Sequence, residues 1–306
     1  WQDAEEEGKW DSFKNVSMRS IFEAITLHNK EDSVWQSTYN KRLPMKAIEL
    51  SMDYFPLDKD TAMVVPDYKE LWKTFEDEIK FIRTDSFKVF AETMLYLLEK
   101  YTSRIPSSTQ HLPDVSLYDH SKTTAAFAVA LYDYYQVNNK LPLKDEKPFL
   151  LIGGDLSGIQ KYIYGIIAHG AAKNLKGRSF YLQLLIDNIV QQLLKALNLF
   201  DANIVYKSGG GFFVLAPHTS ETLNKLSHFE NFISTQLFEY HQTHLFLALD
   251  AVEFGEDELF YDPKNPSKKH IGAVWAELLE KLSNKKSQRF KNKIASDYNL
   301  FFTPQK

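Results

Sequence analysis

Two short segments hold the residues best placed to do chemistry. The run Leu150-Leu151-Ile152-Gly153-Gly154-Asp155-Leu156-Ser157-Gly158-Ile159-Gln160 is apolar and ends in a carboxylate and a Ser-Gly turn. Downstream, Val205-Tyr206-Lys207-Ser208-Gly209-Gly210-Gly211-Phe212-Phe213-Val214-Leu215 is two apolar runs joined by glycines, the pattern of a β-hairpin. Carboxylates near such a turn can hold Mg²⁺ ions that neutralise reacting phosphates. Glycines let a ligand approach the backbone and leave N–H groups for phosphate or base contacts. A two-metal site needs at least two acids from neighbouring strands, and Asp155 alone lies in hairpin reach, so the residues predict nucleotide binding without a metal pair of their own. They also admit a plainer reading, in which residues 209–211 only form a tight turn and Asp155 with Ser157 only caps the next helix.

Between the two lies Asn174-Leu175-Lys176-Gly177-Arg178-Ser179-Phe180-Tyr181. Lys176 and Arg178, read at a helix start, could meet phosphate through their own charge, and a solvated helix end suits them equally. His120, near the start of another helix, could ligate a metal. Hydrolysis at a metal needs several imidazoles and carboxylates around the ion, however, and a lone histidine there also reads as a surface or capping residue. His241 and His244 straddle a helix-to-strand turn with no third ligand in sight.

The elements that must position these residues follow from periodicity. Residues 68–82 and 86–101 read as helices, with Leu71, Phe75 and Ile79 on one face of the first. Prolines 44, 56 and 66 break the pattern into loops or short extended pieces, and residues 103–113 read as a linker. A helix over 118–136 follows, capped by Ser116 with Asp119 at its third position. From Pro148 the pattern becomes strand 149–154, helices 157–167 and 178–197, strands 203–207 and 211–216, helix 221–240 and strand 244–252. This βααββαβ order predicts an α+β, ferredoxin-like palm, an antiparallel sheet with helices on one face. A loop at 264–269 and one or two helices over 271–295 close the chain, with Trp275, Leu278, Leu279 and Leu282 facing inward.

Composition bounds the function. The 306 residues are 44% hydrophobic and 14% aromatic, enough for one large domain or two ordinary ones. A net charge of -4 and a pI near 6.2 argue against wholesale wrapping of nucleic acid and leave local contacts through Lys268-Lys269, Lys285-Lys286 and the stretch from Arg289 to Lys293. The lack of cysteine excludes disulfides, thiolate zinc sites and Cys nucleophiles within these residues and fits a cytoplasmic setting. No apolar run approaches the roughly 18 residues of a spanning helix, and the acidic first residues do not suit a signal peptide, so no membrane partner is expected. The chain opens without Met, as a fragment would.

The hairpin resembles the Gly-Gly-Asp-Glu-Phe turn of diguanylate-cyclase palms with both acids replaced. With residues 154–160, Leu175-Lys176-Gly177-Arg178-Ser179-Phe180-Tyr181 and Ser208-Gly209-Gly210-Gly211-Phe212 in this order, the chain resembles the large polymerase-cyclase subunit of type III-A (Csm) CRISPR effector complexes. Asp114 to Ala126 and Met18-Arg19-Ser20-Ile21-Phe22 are similar as well. The resemblance implies residues 1–105 as a helical remnant of a permuted HD domain, 106–147 as a helical segment carrying the His120 motif, 148–255 as the first palm, and 256–306 as an extension toward a zinc region and a second palm.

For the intact subunit the resemblance implies cyclic oligoadenylate synthesis from ATP with Mg²⁺, single-stranded DNA cleavage at an HD site holding a divalent metal, and partners among Csm-type subunits, guide RNA and target RNA. It implies that Asp155, Ser157, Gly158, Gln160, Lys176, Arg178, Ser208, Gly209, Gly210, Gly211 and Phe212 line half of an ATP pocket, and that His120 is a metal ligand of the intact HD site. The fragment alone is expected to be inactive and to hold no cofactor tightly. An alternative is a non-catalytic ferredoxin-like module that docks partner subunits or RNA, with one of Phe212 and Phe213 offering a thin stacking surface. A self-sufficient homodimeric cyclase is disfavoured by the missing hairpin acids.

Overall fold

The computed structural model describes residues 16–20, 27–28, 35–36, 41–58, 68–110, 112–165, 171–261, 264–265, 268–296 and 298–302. Ile21 and Phe22 of the early motif, Pro66, the end of the helix expected over 157–167, and part of the 264–269 loop lie outside them. The chain divides into two units, Trp1–Thr124 and Ala125–Lys306.

In the first unit, β1 (Leu27–His28) pairs with β2 (Trp35–Gln36), and β3 (Lys41–Arg42) pairs with β4 (Leu57–Asp58), both antiparallel. Helices α1 (Tyr68–Ile79) and α2 (Phe87–Thr102) fall where the periodicity puts them, and the Ser86 hydroxyl accepts from the Val89 N–H to cap α2. Helix α3 spans Leu117–Asn138. Its start is capped as expected, with Asp119 N–H donating to Ser116 Oγ at 2.9 Å. The stretch read as a linker is instead tied down: Pro106 bridges Ser116, and Ser107 N–H donates to Val115 O at 2.9 Å. Local composition marks it as a loop, but these backbone bonds hold it against the α3 start.

The second unit contains β5 (Phe149–Ser157), α4 (Ile159–Tyr164), α5 (Ala171–Leu197), β6 (Ile204–Ser208), β7 (Gly211–Pro217), α6 (Ser220–His241), β8 (Phe246–Phe254), α7 (Glu256–Leu259), α8 (Ile271–Ser287), α9 (Lys291–Ser296) and α10 (Tyr298–Phe302). The sheet order is β6-β7-β5-β8, with every neighbour antiparallel. This is the ferredoxin-like palm that the βααββαβ pattern predicts. Its edge strands are β6 and β8, and β6, paired with β7, carries a bulge between Ile204 and Tyr206.

Alternation along the strands builds two cores. Leu150, Ile152 and Leu156 of β5 face Ile189, Val190 and Leu193 of α5 and Leu226, Phe229 and Ile233 of α6. Leu151, Leu215 and Val252 face the other way, onto Ala126 and Ala130 of α3 and Val274, Leu278 and Leu282 of α8. The palm's own long helices thus share one face, while the extension lays α8 across the second. Gly153 makes that crossing possible, because a Cβ there would sit 3.0 Å from Leu278 Cδ2 and from Leu282 Cδ1. Each fully buried Leu or Val contributes roughly 1.5–3 kcal/mol, so this stripe, more than any charge, seats α8. Leu279, expected inward, is 52% exposed, since it falls on the far side of that stripe.

Two boundaries differ in ways that matter for chemistry. Strand β5 runs to Ser157, three residues beyond its expected end, so Asp155 lies inside the ladder. Helix α5 starts at Ala171, seven residues before Arg178, and carries Gly177 in its interior. Lys176 and Arg178 therefore sit within the helix body, not at its start.

Candidate functional site

Asp155 on β5 is in register with Gly211 on β7 and with Ala248 on β8, so the retained carboxylate and the triple-glycine segment are direct neighbours. The turn itself is Gly209-Gly210, with φ of +62° and +94°. Positive φ at both central residues of a two-residue hairpin loop is the geometry whose twist matches its strands, and it favours glycine. A Cβ at Gly210 would lie 2.3 Å from Ile159 Cδ1, whereas one at Gly209 meets nothing within 4 Å. Gly210 O accepts from Leu156 N–H at 2.9 Å, which ties the turn to the central strand.

One side of the turn opens into a cavity of about 400 Å³ lined by Ile159, Ile163, Ser179, Leu182, Gln183, Ile186, Asp187, Lys207, Ser208, Gly209 and Gly210. Lys207 and Asp187 form an ion pair there at 2.5 Å. Of the sequence candidates, Ser208, Gly209 and Gly210 line this cavity. Asp155 points to the opposite face, where its carboxylate accepts from Lys286 Nζ of α8. Asp250 on β8 shares that face and lies 3.6 Å from Lys285 Nζ, which also meets Glu230 at 2.6 Å. The two carboxylates from neighbouring strands thus hold ammonium groups. Among the described residues no three His, Cys, Asp or Glu side chains gather to hold a metal. This donor set does not fit a Mg²⁺ pair in this palm.

Other candidates take different roles. Phe212 is wholly buried in the helix-side core, in register with Gly154, whose absent Cβ would lie 2.1 Å from the Phe212 ring. The side chain expected to line the pocket is a packing residue, because its place in the strand points it into the sheet. Phe213 packs edge-on against Trp275 at 4.5 Å, so the hairpin offers no pair of free rings for base stacking. Gly158 has φ of +95°, and a Cβ there would lie 1.9 Å from His244 O. Its role is to let β5 turn into α4 beneath that carbonyl. Ser157 lies in the ladder opposite Phe246, and Gln160 and Lys176 are exposed on α4 and α5. His120 is exposed in the first turns of α3.

Arg178 binds the backbone at the end of α4 and lines a cavity of about 430 Å³ there. Its guanidinium Nη1 donates to Tyr162 O at 2.5 Å and to Gly165 O at 3.1 Å, the carbonyls left open at the end of α4, and it lies 5.2 Å from the Tyr162 ring. Beside it, Tyr181 OH bonds His241 Nε2 at 2.8 Å, and Tyr162 meets the His241 ring edge-on at 5.7 Å. Burial, then the neighbouring His244, pushes the His241 imidazole below its ordinary pKa. Sequence reasoning set this histidine aside, and no local pattern links it to Tyr162 and Tyr181. Lys286 and Asp250 were missed for the same reason, with a sequence separation of 131 between Lys286 and Asp155.

A family model described as Csm1 subunit domain B matches residues 148–304. A Methanocaldococcus jannaschii protein named CRISPR system single-strand-specific deoxyribonuclease Cas10/Csm1 (subtype III-A) is 33% identical over 309 residues, covering 90% of this chain and 37% of the relative. The Mycobacterium tuberculosis protein of the same name is 31% identical over 265 residues, covering 80% and 33%. Among solved structures, a Csm1-Csm4 cassette in complex with one ATP superimposes with a TM-score of 0.67 at 27% identity, over 82% of this chain and 34% of that one. A Csm1-Csm4 cassette in complex with cA4 gives 0.66 at 27% over the same shares. The chain spans about a third of the length of these relatives. Among the described residues no helix is long and apolar enough to cross a membrane. With the palm in ferredoxin-like order and the domain match running over residues 148–304, the chain belongs to the Csm1 family.

Proposed function

We propose that the palm of this chain is the metal-free half of an ATP pocket in a type III-A CRISPR large subunit, working opposite a second palm that supplies Mg²⁺ and catalysis for cyclic oligoadenylate synthesis. The observation that carries this reading is the register of Asp155 with Gly211 beside a turn that has lost its acids, with open space at Gly209. Such a turn can take a nucleotide against its backbone and the Ser208 hydroxyl, but it cannot position a metal pair. The palm's task is then to bind and orient, and its neighbour's is to react. Relatives crystallised as Csm1-Csm4 cassettes with ATP or cA4 support a nucleotide ligand and a Csm4-type partner.

On this reading residues 148–255 are the first palm and 256–306 the extension toward the second, while 1–105 and 106–147, with His120, belong to the rear of an HD nuclease region. Single-stranded DNA cleavage and contacts with guide and target RNA belong to the intact subunit. The test is hydrogen exchange on the full-length protein with and without ATP and Mg²⁺. Protection at residues 208–211 is expected; unchanged exchange there, with nucleotide bound elsewhere, overturns the reading.

A further inference from the structure

The basic stretch that runs from α8 into α9 has no part in the nucleotide reading. From Lys281 to Ser296 the sequence holds six lysines and arginines and no acid, a local reversal of sign in a chain of net charge -4. The α8 lysines are committed, Lys281 to Ala251 O and Glu277, Lys285 to Glu230 and Asp250, and Lys286 to Asp155. Arg289 donates to Thr243 O at 2.9 Å. Lys291 and Lys293 of α9 meet no carboxylate among the described residues: Lys291 Nζ donates to Gln288 Oε1 at 3.1 Å, and Lys293 Nζ lies 5.1 Å from the centre of the Phe238 ring. Both line a cavity of about 610 Å³ bounded by α6, β8, α8 and α9, with Asn231, Asn284, Asn292 and Ser296 in its wall. The three asparagine amides are exposed and have no hydrogen-bond partner among the described residues. Past the cavity, α10 stacks Tyr298 on Phe302 at 4.4 Å, with 63% and 57% of these residues exposed. Their neighbour Phe301 packs on Phe238 and on Phe290, a wall of the cavity, so the ring pair adjoins the two lysines.

We infer that this cavity and the α10 ring pair form a contact site for single-stranded RNA, in which Lys291 and Lys293 take phosphates, Tyr298 and Phe302 stack a base, and the asparagine amides meet base edges and the 2′-hydroxyl. Lysines without carboxylate partners take up phosphate by releasing counterions, and no ion pair is broken. Every base has a π-face, so an exposed ring pair stacks a strand whatever its sequence. Most wall residues carry an amide, a hydroxyl or an ammonium group, which suits a polyanion with polar bases better than the face of a protein. Donors and acceptors of that kind also match the 2′-hydroxyl, the group that DNA lacks. The carboxylates in the wall, Glu230 and Asp250, are both held by Lys285. The site uses none of residues 208–211 and stands apart from the nucleotide reading.

The experiment titrates the full-length protein, without ATP, with a short unstructured RNA carrying a photoreactive uridine, and reads anisotropy across salt and the crosslinked peptide. Crosslinks within residues 288–302 are expected. Lys291→Gln/Lys293→Gln is expected to weaken binding about tenfold and to lower the salt slope by about 1.4, the counterions that two phosphates of a single strand release. Phe302→Ala is expected to weaken binding about tenfold with the slope unchanged, and Phe302→Tyr to bind as the wild type. Lys173→Gln/Lys195→Gln on α5 removes the same charge and is expected to change nothing. The deoxy strand of the same sequence is expected to bind more weakly. The inference falls if no crosslink lies within 288–302, if both site variants bind as the wild type, or if the α5 pair weakens binding as much as the α9 pair. Equal affinity for the deoxy strand overturns the assignment to RNA. Hydrogen exchange at residues 208–211 with ATP is expected to be unchanged in the α9 variant, so this inference and the nucleotide reading fail separately.

Discussion

The two faces of the palm sheet hold their cations in different ways. Toward the sheet, Asp155 and Lys286 hold each other at a partly exposed edge beside an open turn. Toward the helices, Arg178 directs Nη1 to the Tyr162 and Gly165 carbonyls, and Tyr181 and His241 lie beside it. One cation is held by a strand carboxylate, and the other completes a helix end at the wall of a cavity of about 430 Å³. A basic residue in a suggestive motif can thus be committed first to the backbone beside it.

Substitutions that separate the two faces sharpen this contrast. The largest effect is expected from Gly158→Ala, where a left-handed φ and a Cβ 1.9 Å from His244 O combine; a loss of about 3 kcal/mol or more in urea unfolding would match the sum of strain and overlap. Arg178→Ala should cost about 1–2 kcal/mol and speed exchange of the amides around α4, while the Ser208 to Gly211 turn keeps its protection. Gly209→Ala should cost about 1 kcal/mol, from backbone strain alone since the space beside it is open, and Gly209→Asn less.

The smallest effect is a pH slope. The His241 pKa is lowered from 6.5 in the folded chain, so on acidification the unfolded chain takes up this proton first. Stability from this group is complete above about 6.5 and declines as pH falls toward the folded value. Chemical unfolding between neutral and mildly acid pH should show that decline, and His241→Gln should flatten it. A slope that persists unchanged in the variant would remove His241 from the account.

The palm was readable because its signals are local. Alternation along 149–154 and 211–216, glycines between the paired strands, and the 3.6-residue stripes of α5 and α6 each act over a few residues, and together they dictate the order β6-β7-β5-β8. Positions that depend on distant partners were not readable. Lys286 was visible only as part of a basic pair, and nothing near it in sequence names Asp155. The early start of α5 was hidden by Gly177, a weak helix former that this helix tolerates. Phe212 looked like a pocket wall because the motif around it is glycine-rich, yet the alternation of β7 sends it into the core opposite Gly154.

The bulge in the edge strand β6 bears on how this sheet could be extended. An uninterrupted border of backbone donors and acceptors invites a second polypeptide to zip on and extend the sheet without limit. The extra residue between Ile204 and Tyr206 breaks that template, and Lys207 adds a charge to it. Strand addition at this edge is thereby discouraged, and a chain meeting β6 would have to be recognised by side chains.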